Sequence, residues 1–189
     1  SSDVCSSDLA FPVVNDELAL LWMANMGCID MNAWYSRVDK PDRPDFVLFD
    51  LDPSPGVGIQ EVVEVALAVK AALDALGLVS FPKTSSADGM HVLVPIERRS
   101  TYAQTREFCE IVAGAIATAH RGLATTEWSK AKRRGKIFVD YLRNQRSATA
   151  VAAYSLRAQP GVAASTPLAW EELARLDDPA DLNSAHADG

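Results

Sequence analysis

Apolar positions along the chain follow two patterns, a helical spacing of three to four residues and short continuous runs. Beyond Gly58, the positions Val62, Val65, Ala66, Val69, Leu73 and Leu76 keep helical spacing, and Gly77 suits the residue just past a helix end. Residues 101–120 predict a second long helix. Nearer the start, Asn15 reads as an N-cap, with Asp16 and Glu17 in the first turn and Leu18, Leu21, Trp22 and Met26 on one face before Gly27. Short β-prone runs lie at 29–35, 46–49, 79–82, 91–96, 137–142 and 149–157, and 170–176 predicts a short helix. Between them, 38–44 carries alternating charges and two prolines, and 84–90 is polar, so both are expected as loops. Strands alternating with two long helices predict a mixed α/β (α+β) fold, a central mixed β-sheet flanked by helices.

No composition shift marks an internal boundary, so residues 10–178 are expected to form one domain. Residues 1–9, with a direct repeat of Ser-Ser-Asp, are expected to be an assembly scar or a disordered tail, and 179–189 a frayed tail. At 189 residues the chain can bury a core without disulfides. The three cysteines, Cys5, Cys28 and Cys109, show no ligand spacing and read as reduced thiols. No apolar run approaches the roughly 18 residues that cross a bilayer, and the first residues lack signal-peptide features, so a soluble cytoplasmic protein is expected. A net charge of −7 argues against indiscriminate nucleic-acid binding and leaves room for a local basic groove.

The candidate chemistry starts where the run 46–49 ends. Pro53, Pro55 and Gly56 stop the strand, so Asp50 and Asp52 sit at its end. Residues two apart share a face of a strand, with Cα atoms about 6 to 7 Å apart. Such a pair raises its own pKa values unless a cation lies between, and a hard divalent ion such as Mg²⁺ or Mn²⁺ takes carboxylate oxygen. Asp140 is a third acid, at the start of the exposed half of an apolar strand, and three carboxylates suffice to hold two metals if the strands are neighbours. Just before it, Lys130, Lys132, Arg133, Arg134 and Lys136 put five cations in seven residues. In an acidic chain this cluster predicts a phosphate-bearing partner. The 84–89 loop offers hydroxyls and N–H groups, with His91 beyond it, and Arg143, Arg146 and Arg157 add cations. Acids for metals beside groups for phosphates point to phosphoryl or nucleotidyl transfer.

In order, these segments resemble the polymerase domain of bacterial DNA ligase D, of the archaeo-eukaryotic primase superfamily. Asp50-Leu51-Asp52-Pro53 is similar to the first motif of that family, Lys83-Thr84-Ser85-Ser86-Ala87-Asp88-Gly89-Met90-His91 to the second, and Arg133-Arg134-Gly135-Lys136-Ile137-Phe138-Val139-Asp140-Tyr141 to the third. Tyr154-Ser155-Leu156-Arg157 resembles a further element. The resemblance implies a primase-like fold, with Asp50, Asp52 and Asp140 as catalytic ligands of two Mn²⁺ or Mg²⁺ ions. It places Lys83, Ser85, His91, Arg133 and Arg157 on a nucleoside triphosphate (NTP or dNTP), and Asn32, Arg134, Lys136, Arg143 and Arg146 on DNA. It implies addition of ribo- or deoxynucleotides to a primer at gapped or 5′-phosphorylated DNA ends in non-homologous end joining. A fused or associated ligase and Ku would be partners, in the bacterial nucleoid.

Asp88 stands where the family carries a basic residue and Asn32 where it carries histidine. The resemblance also implies that an N-terminal portion of the domain, which supplies a lysine and an aromatic platform, precedes this chain.

Two other readings compete. A DNA-end or nucleotide-binding module of the same fold would bind without turnover. A haloacid-dehalogenase-like phosphatase also begins with Asp-x-Asp at a strand end but follows it with Gly-Thr, where Pro53-Ser54 stands here. Side chain by side chain, Ser85 reads equally as a turn cap, His91 as a structural strand histidine, and Arg143 and Arg146 as surface cations. Trp22, Trp34 and Trp128 are expected in the core or half-buried.

Overall fold

The computed structural model describes residues 12–85, 89–157 and 163–173. Asp88, Cys5 and the two expected tails lie outside them. In chain order the elements are α1 (Glu17–Asn25), β1 (Asn32–Trp34), β2 (Phe46–Pro53), α2 (Ile59–Ala75), β3 (Phe81–Thr84) and β4 (Met90–Pro95). They continue with α3 (Tyr102–Ala119), β5 (Ala124–Thr125), α4 (Lys130–Arg133), β6 (Ile137–Asp140), β7 (Thr149–Val151) and α5 (Trp170–Leu173).

Five strands form one sheet in the order β3-β4-β2-β6-β5, antiparallel except for the parallel pair β5 and β6. β1 and β7 make a separate antiparallel ribbon. The expected mixed α/β architecture is therefore present, with β2 at the centre.

Alternation along the central strands decides which face is core. Val47, Phe49 and Leu51 of β2, Met90, Val92 and Val94 of β4, and Ile137 and Val139 of β6 belong to one buried cluster. The same cluster takes Val62, Val65, Ala66, Val69 and Leu73 from α2 and Cys109, Val112, Ala113 and Ile116 from α3. Both long helices thus cover one face of the sheet, and each large aliphatic buried there contributes about 1.5–3 kcal/mol of transfer free energy. The helix limits have local causes. Thr101 and Gln104 form a reciprocal capping box at the start of α3, and Gly77, at φ +71°, turns the chain out of α2.

Several sequence expectations need correction. The strand expected at 29–35 is paired only over β1, and that at 149–157 only over β7, followed by an isolated bridge from Leu156 to Ala164. The third strand begins at Phe81 rather than 79. The N-cap of α1 is Asp16, whose side chain accepts from Ala19 N at 2.8 Å, and not Asn15. Its apolar face meets no core: Leu18 is 77% exposed, and Leu21, Trp22 and Met26 are exposed as well. Trp22 and Trp128 are both exposed rather than core, because neither lies over the helix-covered face of the sheet. Cys28 and Cys109 are free thiols, as expected, and burial pushes Cys109 up to about 12.

Candidate active site

The second face of the sheet carries the polar half of the same alternation. Asp50 stands opposite Asp140 on β6 and opposite His91 on β4, and His91 stands opposite Lys83 on β3. Directly opposed residues project to the same side of a sheet. Lys83, His91, Asp50 and Asp140 therefore form one row across four strands, on the face away from the helices, with Asp52 two residues along β2.

The row is held by charge. His91 Nε2 lies 3.5 Å from Asp50 Oδ1. Arg143 Nε reaches both acids, 3.6 Å from Asp50 Oδ2 and 3.5 Å from Asp140 Oδ2. Burial works to raise the Asp50 carboxyl, but the His91 contact and the charges of His91, Arg143 and Lys83 outweigh it and hold Asp50 below the usual carboxylate range. Asp140 goes the other way: burial, helped by the Asp50 charge, raises it despite the Leu142 N–H donated to its Oδ1 at 2.7 Å and the nearby Arg143 and Arg133. The two facing carboxyls are thus pushed apart, as expected where like charges share a poorly solvated site.

Asp52 has a partner of its own. Arg133 is buried, donates from Nη1 to Asp52 Oδ2 at 2.6 Å, and spends its other nitrogens on the carbonyls of Glu127 and Trp128, each at 3.2 Å. Its guanidinium lies 4.1 Å from the Phe138 ring centre. Arg134 and Gly135, both left-handed at φ 50° and 73°, then swing the chain from α4 into β6.

Lys83 is buried at the end of the row. Its Nζ donates to Ser165 Oγ at 2.5 Å, and burial lowers it to about 8, partly opposed by Asp50 and reinforced by Arg157. Ser85 donates its hydroxyl to the Gly89 carbonyl at 2.9 Å, closing the loop between β3 and β4. That loop runs so near β2 that a Cβ at position 89 would lie 2.5 Å from the Leu51 carbonyl oxygen, so only glycine fits.

A cleft of about 470 Å³ opens over the row. Nine of the predicted residues line it: Asp50, Asp52 and Asp140 at the floor, with Ser85, His91, Arg133, Arg143, Arg157 and Asn32 around them. Lys83 sits beneath the lining. Three predicted DNA contacts do not line the cleft. Arg134 projects from the left-handed turn, Lys136 Nζ donates to the Arg121 carbonyl at 2.5 Å, and Arg146 pairs with Asp42 at 2.8 Å. Of the five-cation run, only Lys130 and Arg133 line the cleft; Lys132 on α4, and Arg134 and Lys136 beyond its end, do not.

The donor chemistry fits a hard divalent cation, since Asp50 and Asp140 turn carboxylate oxygens toward a single positive group, Arg143. His91 Nδ1, buried with no hydrogen-bond partner, is a further unused polar atom in the row. Among the described residues no three ligand-type side chains stand together around one point, and Asp52 is paired with Arg133. A three-carboxylate set thus requires Asp52 to leave that pair.

Some residues of the site carry no sequence signal. Ser165 reaches Lys83 only because the 163–168 segment pairs along the edge of β3, where Thr84 N donates to the Thr166 carbonyl. Tyr35 is fully buried with an unpartnered hydroxyl, and burial, with the charge of Asp50, raises it. No motif announces either. Trp128 was legible only as an apolar residue, whereas its exposed ring forms part of the cleft wall.

An acid pair stands on the open face of a mixed sheet, ringed by cations. Residues 4–188 match the family model described as LigD, primase-polymerase domain, and the chain belongs to that family. It is 39% identical over 158 residues to the multifunctional non-homologous end joining protein LigD of Pseudomonas aeruginosa, covering 84% of this chain and 19% of that protein. It is 32% identical over 183 residues to the multifunctional non-homologous end joining DNA repair protein LigD of Mycobacterium tuberculosis, covering 93% of this chain and 24% of that protein. The chain thus spans about a fifth to a quarter of the length of the curated relatives it matches. Among solved structures, the polymerase domain from Mycobacterium tuberculosis ligase D in complex with DNA superposes with a TM-score of 0.78 at 28% identity, covering 93% of this chain and 70% of that one. The family match leaves the phosphatase alternative without support. No helix among the described residues is long and apolar enough to cross a membrane.

Proposed function

We propose that this chain is a nucleotidyltransferase that adds ribo- or deoxynucleotides to a DNA primer end in non-homologous end joining. The observation that carries the reading is the cross-strand row of Lys83, His91, Asp50 and Asp140 under a cation-lined cleft, in a chain of the primase-polymerase family. Asp50, Asp140 and, once released from Arg133, Asp52 would hold one or two Mn²⁺ or Mg²⁺ ions, whose chemistry there is activation of a hydroxyl and charge stabilisation at a phosphoryl group. The protein groups do the rest. Arg133, Arg143 and Arg157 carry fixed positive charge for phosphate oxygens, and His91 and Ser85 offer hydrogen bonds beside them. Lys83, at the buried end of the row, sets the field on Asp50 from behind. Asn32, on the ribbon side of the cleft, would meet the primer or nucleotide. A ligase and Ku would act on the same DNA end as partners.

The test is addition of one nucleotide to a gapped, 5′-phosphorylated duplex in Mn²⁺, comparing the chain with Asp140→Ala. Incorporation should fall about a hundred- to a thousandfold in the variant, the scale of losing one central electrostatic group. Equal incorporation by both would overturn the reading. The engagement of Asp52 by Arg133 favours one alternative, a module that binds nucleotide without turnover. It predicts triphosphate binding with no incorporation by the wild-type chain.

A further inference from the structure

Resting on the reading above, we propose that Asn144 is a positioning residue for the acid pair, acting as a side-chain bridge in place of a missing stretch of strand. β6 pairs with β2 from Ile137 opposite Pro53 to Asp140 opposite Asp50, and there it stops. Leu142 N folds back onto Asp140 Oδ1, and Asn144 N donates to the Tyr141 carbonyl, so the chain turns away from the sheet directly after the acid. Leu48, two residues before Asp50, is left deep in the protein with its N–H and C=O facing the place that β6 has vacated. Unpaired, each group would carry the cost of a buried, unsatisfied peptide.

Asn144 fills that place. Its side chain is 1% exposed; Oδ1 accepts from Leu48 N at 2.9 Å, and Nδ2 donates to Leu48 O at 2.7 Å. The second amide hydrogen goes to the Tyr141 carbonyl at 3.0 Å. Only a carboxamide carries a donor and an acceptor in a fork that copies a peptide group. Aspartate lacks the donor and leucine lacks both. The bridge ties the backbone leading into Asp50 to the turn that leaves Asp140 and carries Arg143. The ladder sets Asp50 opposite Asp140, and the buried amide continues that hold past its end, fixing the approach of the turn that carries Arg143. Groups that orient ligands in this way typically change metal affinity about 10–100-fold when lost.

The test compares the wild-type chain with Asn144→Ser and Asn144→Leu, each checked by circular dichroism and a cooperative melt. Mn²⁺ binding is read from loss of the free-ion paramagnetic resonance signal, with Asp140→Ala as the reference for a lost ligand. Folded Asn144 variants should bind Mn²⁺ at least about tenfold more weakly than wild type. A folded variant with wild-type affinity overturns the proposal. Amide exchange of the wild-type chain supplies a measurement independent of any variant's folding: Leu48 N–H should exchange as slowly as its neighbours in β2, and a fast Leu48 amide would also overturn the bridge. Wild-type protein that binds no more Mn²⁺ than Asp140→Ala would instead sink the metal-dependent reading of the site, and the exchange result would then decide the bridge alone.

Discussion

The two faces of β2 are built from alternate residues of one strand and answer to different physics. Val47, Phe49 and Leu51 meet α2 and α3 and are within 1% of full burial, whereas Asp50 and Asp52 face the cleft and are fixed by charge. One face sets whether the strand exists, and the other sets what it can hold. The separation is sharpest in the response to substitution. Phe49→Ala should lose about 3–5 kcal/mol, because a fully buried ring leaves a cavity that the surrounding sheet and helices can only partly close. Asp50→Asn, one residue along, should keep the wild-type melt to within a fraction of that loss while removing nucleotide incorporation. Denaturant unfolding of both variants with equal m-values would measure the contrast, and equal losses from the two would break it.

Lys83 tests the polar face from its buried end and comes next in size. A lysine lowered to about 8 in the fold releases its proton more readily there than in the unfolded chain. Between that value and the unfolded one the unfolded chain binds more protons, so stability rises with pH across this window and is lost as pH falls through about 8. At pH 7 the charged, desolvated ammonium costs on the order of 3 kcal/mol. Lys83→Met should therefore be more stable than wild type at pH 7, and the difference should shrink as pH rises from about 8 toward the unfolded value. A difference independent of pH would show that packing against Ser165, not charge, governs the site.

The two facing acids give a smaller effect, of opposite sign at the two positions. Asp50 is held below its ordinary value, so its ionised form contributes stability present above the unfolded pKa and lost as pH falls through the folded one. Asp140 is raised, so its contribution is full in acid and lost as pH rises through its folded pKa. At pH 7, Asp50→Asn should lower the melting temperature and Asp140→Asn should raise it. Shifts of the same sign in both would show that the pair titrates as a unit with no division of roles.

Alternation made the sheet legible in the sequence. The run at 46–49 and the acids after it specified β2 and its faces, and helical spacing specified α2 and α3 almost to the residue. Seven predicted site residues from the ordered motifs, with Asn32 and Arg143 beside them, line one cleft. What stayed hidden depends on contacts distant in sequence. Nothing near Ser165 says that it will meet Lys83, and Asn144 reads as an ordinary turn residue until β6 is seen to stop short. The basic run misled in part, because charge density says where cations are plentiful and not which way the short α4 and the left-handed turn after it aim them.

The weakest expected effect lies in α1, where the sequence predicted an apolar face and no core covers it. α2 buries seven of its residues, while α1 buries none, although Leu18, Leu21, Trp22 and Met26 share a face. Apolar spacing states which side of a helix avoids water; a partner must supply the burial, and none of the residues of α1 is buried. Its local stability then depends on its cap more than on its apolar face. Asp16→Ala removes the acceptor for Ala19 N and should cost about 0.5–2 kcal/mol of local helix stability. Leu21→Gln, at a position already in water, should stay within about 0.5 kcal/mol. Amide exchange across residues 17–25 separates the two, because fraying of one terminal helix leaves the global melt unmoved. Should Leu21→Gln open the helix more than Asp16→Ala, the apolar face of α1 is packed in solution, and α1 falls under the same rule as the helix-covered face of β2.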